Sequence, residues 1–311
     1  MKKIPRLWKY PFYNSIRRLE IQVTDESCTK ISFNPPPERL RNSLEIEYDI
    51  KNLVNIEFDS IWEKLKTKYF GYYKNLNFPP IIWEGTSHNC QLKCPTCRPE
   101  VIFDKQPYQK ELWEYITPIL NDSRVKSVMI GPGGDPFVDK ERINYLRNLT
   151  TEVLEHKFSI QVCTNGLALT EKMWNSFGDL KKHKDKLDIT ISLDAATKDT
   201  YNINRVLGDW DKINENLKFL STLNLGQLNI DMTVQKNNYK EMVDFVKLGN
   251  SLNINTSLRA MNNWYWEDDR YIDNAVHLKK HPLNNDFKKE LNKANKLGAI
   301  GLDLTKFSVF K

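Results

Sequence analysis

Three of the five cysteines in this 311-residue chain fall within eight positions, as Cys90, Cys94 and Cys97 of HNCQLKCPTCRPE at 88–100. Thiols packed this closely serve disulfides, a structural zinc ion or an iron–sulfur cluster. The odd cysteine count, and the lack of an apolar signal segment in MKKIPRLWKYPFY, speak against a disulfide framework. Structural zinc takes four ligands, commonly as two C-x2-C halves. Cys94 and Cys97 supply one half, and Cys90 with His88 or Cys28 would complete a tetrahedron, but no second pair follows. Three thiolates on one short loop can instead hold three corners of a 4Fe–4S cubane, leaving the fourth iron open for chemistry.

Whatever the thiols hold must be positioned by the elements around them. Residues 1–80 read as a small α+β extension: RRLEIQVT, CTKISF, SLEIEYDI and LVNIEF are strand-like runs broken by NPPPE, and DSIWEKLKTKYFGYYK has helical amphipathicity. The triple proline at 35–37 excludes a helix or a central strand there. From 81 to 261 the strands IIWEGTS, VKSVMIG, FSIQVCT, LDITISLD, QLNIDMTV and INTSLRA alternate with helical segments near 107–120, 139–156, 170–182, 210–223 and 238–250. Units of roughly 30 to 40 residues suit right-handed βα crossovers and a parallel sheet. Six such units fall short of the eight in a full TIM barrel, so the prediction is an α/β fold, a partial (β/α)6 TIM-like barrel.

A tail over 262–311 carries the helical run DFKKELNKANKLG, with Gly298 as its C-cap, and a final apolar run, AIGLDLTKFSVF. Trp264 and Trp266 in MNNWYWEDDRYID either line the opening of a substrate pocket or fill a seam between barrel and tail. Sites in such barrels gather at the C-terminal ends of the strands. The cysteines follow the first barrel strand, GPGGDP the second, TNG the third and SLDAAT the fourth. Four polar or glycine-rich loops therefore converge on one rim.

The spacing Cys90-Gln-Leu-Lys-Cys94-Pro-Thr-Cys97 resembles the signature of the radical SAM superfamily. The likeness continues through GGDP at 133–136, TNG at 164–166, SLDAATKDTYNINRV at 192–206 and TVQKNNYKEMVDFVKLG at 233–249. It covers roughly residues 81–260, and within the superfamily it is nearest to the branch of peptide and protein maturases with SPASM or twitch extensions and of the molybdenum-cofactor cyclase type. The resemblance implies that Cys90, Cys94 and Cys97 ligate a 4Fe–4S cluster whose open iron binds S-adenosylmethionine (SAM). Reductive cleavage of SAM would then yield a 5'-deoxyadenosyl radical that takes a hydrogen atom from substrate.

By the same resemblance, Gly133, Gly134, Asp135 and Pro136 would set backbone groups against the methionine amino end, with Asp135 where the family usually has Glu. Ser192 and Asp194 alternate on the fourth strand and so share a face, the first suited to the SAM carboxylate, the second to ribose or substrate. Arg205 falls where the family often has an arginine that pairs with SAM. Asn165 and Gln235 are further pocket candidates, and Arg259 is placed for adenine, substrate or a structural ion pair. Cys163 reads as a core cysteine or as a thiol that quenches a substrate radical. The family often has an aromatic residue where Thr96 stands. No cysteine follows Cys163, so no auxiliary cluster is expected.

The net charge of +6 is mild, and the lysines at 181, 182, 184 and 186 are interrupted by Asp185, as on a solvated helix end. No apolar run approaches the roughly 18 residues of a membrane span, so a cytoplasmic location is expected, with no membrane partner and no need for nucleic acid. The expected partners are a peptide or other small biomolecule as substrate and a reductant such as flavodoxin or ferredoxin. A nucleotide, nucleoside or sugar substrate is the alternative within enzymes. A zinc-stabilised binding module without catalysis is the alternative outside them.

Overall fold

A computed structural model describes residues 18–23, 28–34, 44–49, 55–57, 59–60, 63, 81–85, 87–97, 109–131, 133–261 and 270–299. Its strands in chain order are β1 (Arg18–Val23), β2 (Cys28–Asn34), β3 (Leu44–Asp49), β4 (Ile81–Gly85), β5 (Ser127–Ile130), β6 (Ser159–Thr164), β7 (Leu187–Ser192), β8 (Gln227–Val234) and β9 (Asn255–Ala260). The last six lie side by side in sequence order and pair in parallel, the partial barrel that the alternating pattern predicts.

The strands read as strict alternation, which gives the sheet two chemically different faces. In SIQVCT, LDITIS and QLNIDMTV one face carries Ile160, Val162, Ile189, Ile191, Ile230 and Met232, all buried in the core. Over this face pack the helices α1 (Gln109–Asn121), α2 (Lys140–Asn148), α3 (Thr151–His156), α4 (Glu171–Asn175), α5 (Lys198–Asn204), α6 (Trp210–Ser221) and α7 (Met242–Ser251). They contribute Leu112, Ile116, Leu146, Leu217 and Phe245 to the same core. Each such side chain buried is worth roughly 1.5–3 kcal/mol, and this face holds the sheet to its helices. The opposite, concave face is polar. On it Ser159 Oγ donates to Ser127 Oγ and accepts from Gln161 Nε2, both at 3.2 Å.

The N-terminal strands are continuous with the barrel sheet. β1 pairs in parallel with β4, β2 antiparallel with β1, and β3 antiparallel with β2. The segment expected as one helix over 139–156 is two, because Leu149 is extended (ψ 123°) and Thr150 caps α3 by accepting from Val153 N. The segment at 238–250 enters through a 3₁₀ turn before α7 begins at Met242. Beyond α8 (Arg270–Asn274), the tail helix is α9 (Asn284–Lys296), followed by Gly298 at φ 94°. The expected fourth N-terminal strand is not formed over the described residues 55–57, which are a turn and a bend. Most of the predicted helix after it, the run AIGLDLTKFSVF beyond its first residue, and Trp264 and Trp266 lie outside the described residues.

Candidate functional site

The cysteine loop leaves β4 at the C-terminal rim. Cys94 is buried, Cys90 half-buried and Cys97 exposed, all three as free thiols. Cys97 N donates to Cys94 O at 3.1 Å, and Lys93 N pins the loop to Val206 O at 3.0 Å. Two of the three sulfurs already have donors: Leu92 N and Asn165 Nδ2 to Cys90 Sγ at 3.4 and 3.8 Å, and Arg205 Nη1 to Cys94 Sγ at 3.7 Å. Burial pushes the Cys90 thiol up and the Cys94 thiol up to about 11, while the Arg205 guanidinium opposes both shifts. Among the described residues no three ligating side chains close on a point that could hold a metal ion. Tetrahedral zinc needs thiolate sulfurs about 3.8 Å apart. A cubane binds each cysteine through a different iron, so its sulfurs stand farther apart.

The glycine-rich loop after β5 lies directly on the cysteine loop. Asp135 N donates to Asn89 O at 2.6 Å. A Cβ at Gly133 would fall 2.9 Å from His88 Nδ1, and one at Gly134 (φ 65°) would collide with the backbone of His88 and Asn89. The Asp135 side chain is taken up by bonds within the loops. Its Oδ2 accepts from Thr164 Oγ1 and Asn165 N, both at 2.7 Å, and its Oδ1 accepts from Phe137 N at 3.0 Å. The carboxylate therefore joins the second loop to the third, and Pro136 opens the buried 3₁₀ turn that follows.

The fourth loop corrects one expectation. β7 ends at Ser192, and Asp194 adopts φ 58°, so the two residues do not share a strand face. The reason lies in β8, whose Asp231 O accepts from both Leu193 N and Asp194 N at 3.0 and 3.2 Å, turning the chain. Asp194 Oδ1 accepts from Thr233 N at 2.7 Å, and Oδ2 pairs with Arg205 Nη2 at 2.8 Å. Its carbonyl accepts from Asn204 Nδ2 and Asn238 Nδ2 at 2.9 and 3.0 Å. Arg205, at the end of α5, is thereby aimed at Cys94. Arg205 Nε and Gln235 Nε2 are buried and have no hydrogen-bond partner among the described residues. The orphaned Arg205 donor, on a guanidinium that already reaches Cys94, is what a bound group rich in acceptors would satisfy.

The sequence profile of the radical SAM superfamily matches residues 86–249, which is 164 of the 311 residues. The chain belongs to the radical SAM superfamily. Membership implies an enzyme with a 4Fe–4S cluster and SAM as its cofactors. A Streptococcus suis SuiB structure bound to S-adenosylmethionine is similar in fold, at TM-score 0.57 and 17% identity over 96% of this chain and 74% of that one. A radical SAM methyltransferase from Sphaerobacter thermophilus aligns at TM-score 0.46 and 12% identity, over 96% of this chain and 82% of its own. TYW1 with a lysine-pyruvate adduct bound aligns at TM-score 0.43 and 17% identity, over 68% and 70%. No curated protein matches the chain. No described helix is long and apolar enough to cross a membrane.

In this radical SAM chain the donor set fits the cofactors: three thiols on one loop, a glycine pair against that loop, and an orphaned Arg205 nitrogen beside it. Asn165 is brought to Cys90, where its Oδ1 also accepts from Gln91 Nε2 at 3.0 Å. Ser192 ends β7 in register with Asp231. Arg259 is in an ion pair with Asp231, Nε to Oδ2 at 2.5 Å. Cys163 belongs to the same concave neighbourhood, its thiol pushed up to about 11 by burial, with Arg259 lowering it and Asp231 raising it. Asn204, Asn216 and Asn238 were not legible as site residues. Asn216 Nδ2 donates to Gly166 O and Leu167 O at 2.9 and 3.3 Å, holding the TNG loop from α6. Their only signal in the sequence is that an amide inside a half-buried segment needs partners.

Proposed function

We propose that this radical SAM enzyme abstracts a hydrogen atom from a peptide or other small biomolecule seated on the polar concave face of the barrel. The cluster and SAM, when bound, supply the one-electron chemistry. Cys90, Cys94 and Cys97 would ligate the cluster, and Gly133, Gly134, Asp135 and Pro136 would present backbone to SAM beside Asn165, Ser192, Asp194 and Arg205. The observation that carries the substrate reading is the charge on the concave face. Among the described residues of β5 to β9, alternation brings only Asp188, Asp231 and Arg259 there as charged groups, and Arg259 already pairs with Asp231. That balance offers a phosphate no surplus cation, whereas Asp231 Oδ1, buried and without a hydrogen-bond partner among the described residues, suits a neutral N–H or O–H donor such as a peptide amide. Cys163, on the same face, would be the thiol nearest such a substrate.

Two measurements test this. Anaerobic EPR of iron- and sulfide-reconstituted, dithionite-reduced protein should show a cluster signal whose g-values move on adding SAM. Stoichiometric zinc with no such signal would return the loop to a structural knuckle. The substrate class is then tested by isotope transfer: a uniformly deuterated peptide digest should deliver deuterium into 5'-deoxyadenosine. Transfer from deuterated nucleosides or sugars alone would favour the alternative substrates.

A further inference from the structure

Glu84, near the end of β4, and Arg142, in the first turn of α2, form an ion pair whose side chains are both 0% exposed. The geometry is bidentate: Arg142 Nε donates to Glu84 Oε2 at 2.8 Å and Nη2 to Oε1 at 3.0 Å. The guanidinium has further N–H groups, and they go to backbone. Nη1 donates to Gly133 O at 2.7 Å, and Nη2 also reaches Ser87 O at 3.2 Å. Asp139 Oδ1, accepting from Glu141 N and Arg142 N at 3.0 Å each, fixes the turn of α2 that carries the arginine.

A buried ion pair is weak evidence for stability, because apolar residues of similar volume commonly replace one without loss. Packing alone therefore gives no reason for two charges. Their carbonyl partners do. Ser87 is the root of the cysteine loop and Gly133 is the first residue of the glycine pair, so one planar fork spans the two loops.

We propose that Arg142, oriented by Glu84, is a positioning residue that holds the glycine pair in register with the cysteine loop, and so sets the affinity for SAM without touching the cluster ligands. This deepens the assignment of those two loops to the cofactors and rests on it. The decisive variant is the double substitution Glu84→Met with Arg142→Met, which removes both charges together and strands neither. It should keep the parent's iron and sulfide content after reconstitution and still unfold cooperatively, with a midpoint lowered by the two carbonyls that lose their donor, yet bind SAM at least about tenfold more weakly in an EPR titration, the scale on which outer supports tune a site. Arg142→Lys, which keeps the charge and loses the fork, should fall between. SAM affinity within about twofold of the parent in a cluster-loaded double variant would overturn the proposal, leaving the pair a purely structural feature. If the double variant does not fold, Arg142→Lys decides, and unchanged SAM affinity with full cluster content overturns it equally. A parent protein that takes up no cluster would instead refute the cofactor assignment, and the proposal with it.

Discussion

Asp135 stands in the glycine-rich loop and has the bonding of a brace. Its two carboxylate oxygens accept three hydrogen bonds, from Phe137 N, Thr164 Oγ1 and Asn165 N. An asparagine at this place has one acceptor oxygen, so whichever way the amide turns, an N–H meets a donor. Asp135→Asn is therefore expected to cost about 1–3 kcal/mol in urea unfolding, the penalty for a buried donor left unmade. An unchanged midpoint would show that the second and third loops are joined by something else. At this scale legibility followed chain distance. The cysteine triplet is written within eight consecutive residues, so its chemistry could be read without a fold. Asn204 and Asn216 act on carbonyls 10 and 50 residues away, and only the barrel brings those pairs together.

Helix α5 shows how a short element is held from outside. Seven residues do not sustain a helix in water, since the nucleation cost exceeds what so few backbone bonds return. Glu241, at the start of α7, supplies the missing support: its carboxylate accepts from Ala196 N and Thr197 Oγ1, both at 2.7 Å, and from Thr200 Oγ1 at 2.5 Å. Because Arg205 leaves the end of α5 toward Cys94, the same carboxylate indirectly aims the guanidinium. In Glu241→Gln at least one of these acceptors is lost. The amides of residues 198–204 should then exchange with deuterium faster than those of α6, by a factor reflecting about 1–3 kcal/mol. Equal exchange in variant and parent would mean that α5 is held by its own cap. This helix was invisible in the sequence because KDTYNIN shows no stripe of period 3.6. The opposite error arose at 139–156, where the apolar pattern of Leu146, Leu149 and Leu154, all buried, runs across a break in the backbone.

At the scale of the whole molecule the six-strand order was legible, since each βα unit announces itself by a change of hydrophobic period. The joining of β1 to β4 was not, because an edge pairing leaves no local mark in either strand. The barrel also divides its labour between ends. The thiols and loops occupy the C-terminal rim, whereas Lys157, just before β6, sits at the N-terminal end and ties two successive units together. Its Nζ donates to Asp122 O and Val125 O at 2.9 and 2.7 Å. Burial pulls its pKa down to about 8. A lysine whose folded pKa lies below its unfolded value binds fewer protons when folded, so stability rises with pH through the interval between the two. Below about pH 8 both states are charged and the cost of burying the ammonium is fully present; near pH 10 most of it is gone. Urea unfolding of the parent and of Lys157→Met at pH 7.5 and pH 10 should therefore show the parent gaining on the variant by on the order of 1–3 kcal/mol. Cluster content and SAM affinity should not change, because the residue is at the far end of the strands from the thiols. A constant difference between the two proteins at both pH values would mean that the amine is not held as a buried charge, and that the two carbonyls alone account for its place.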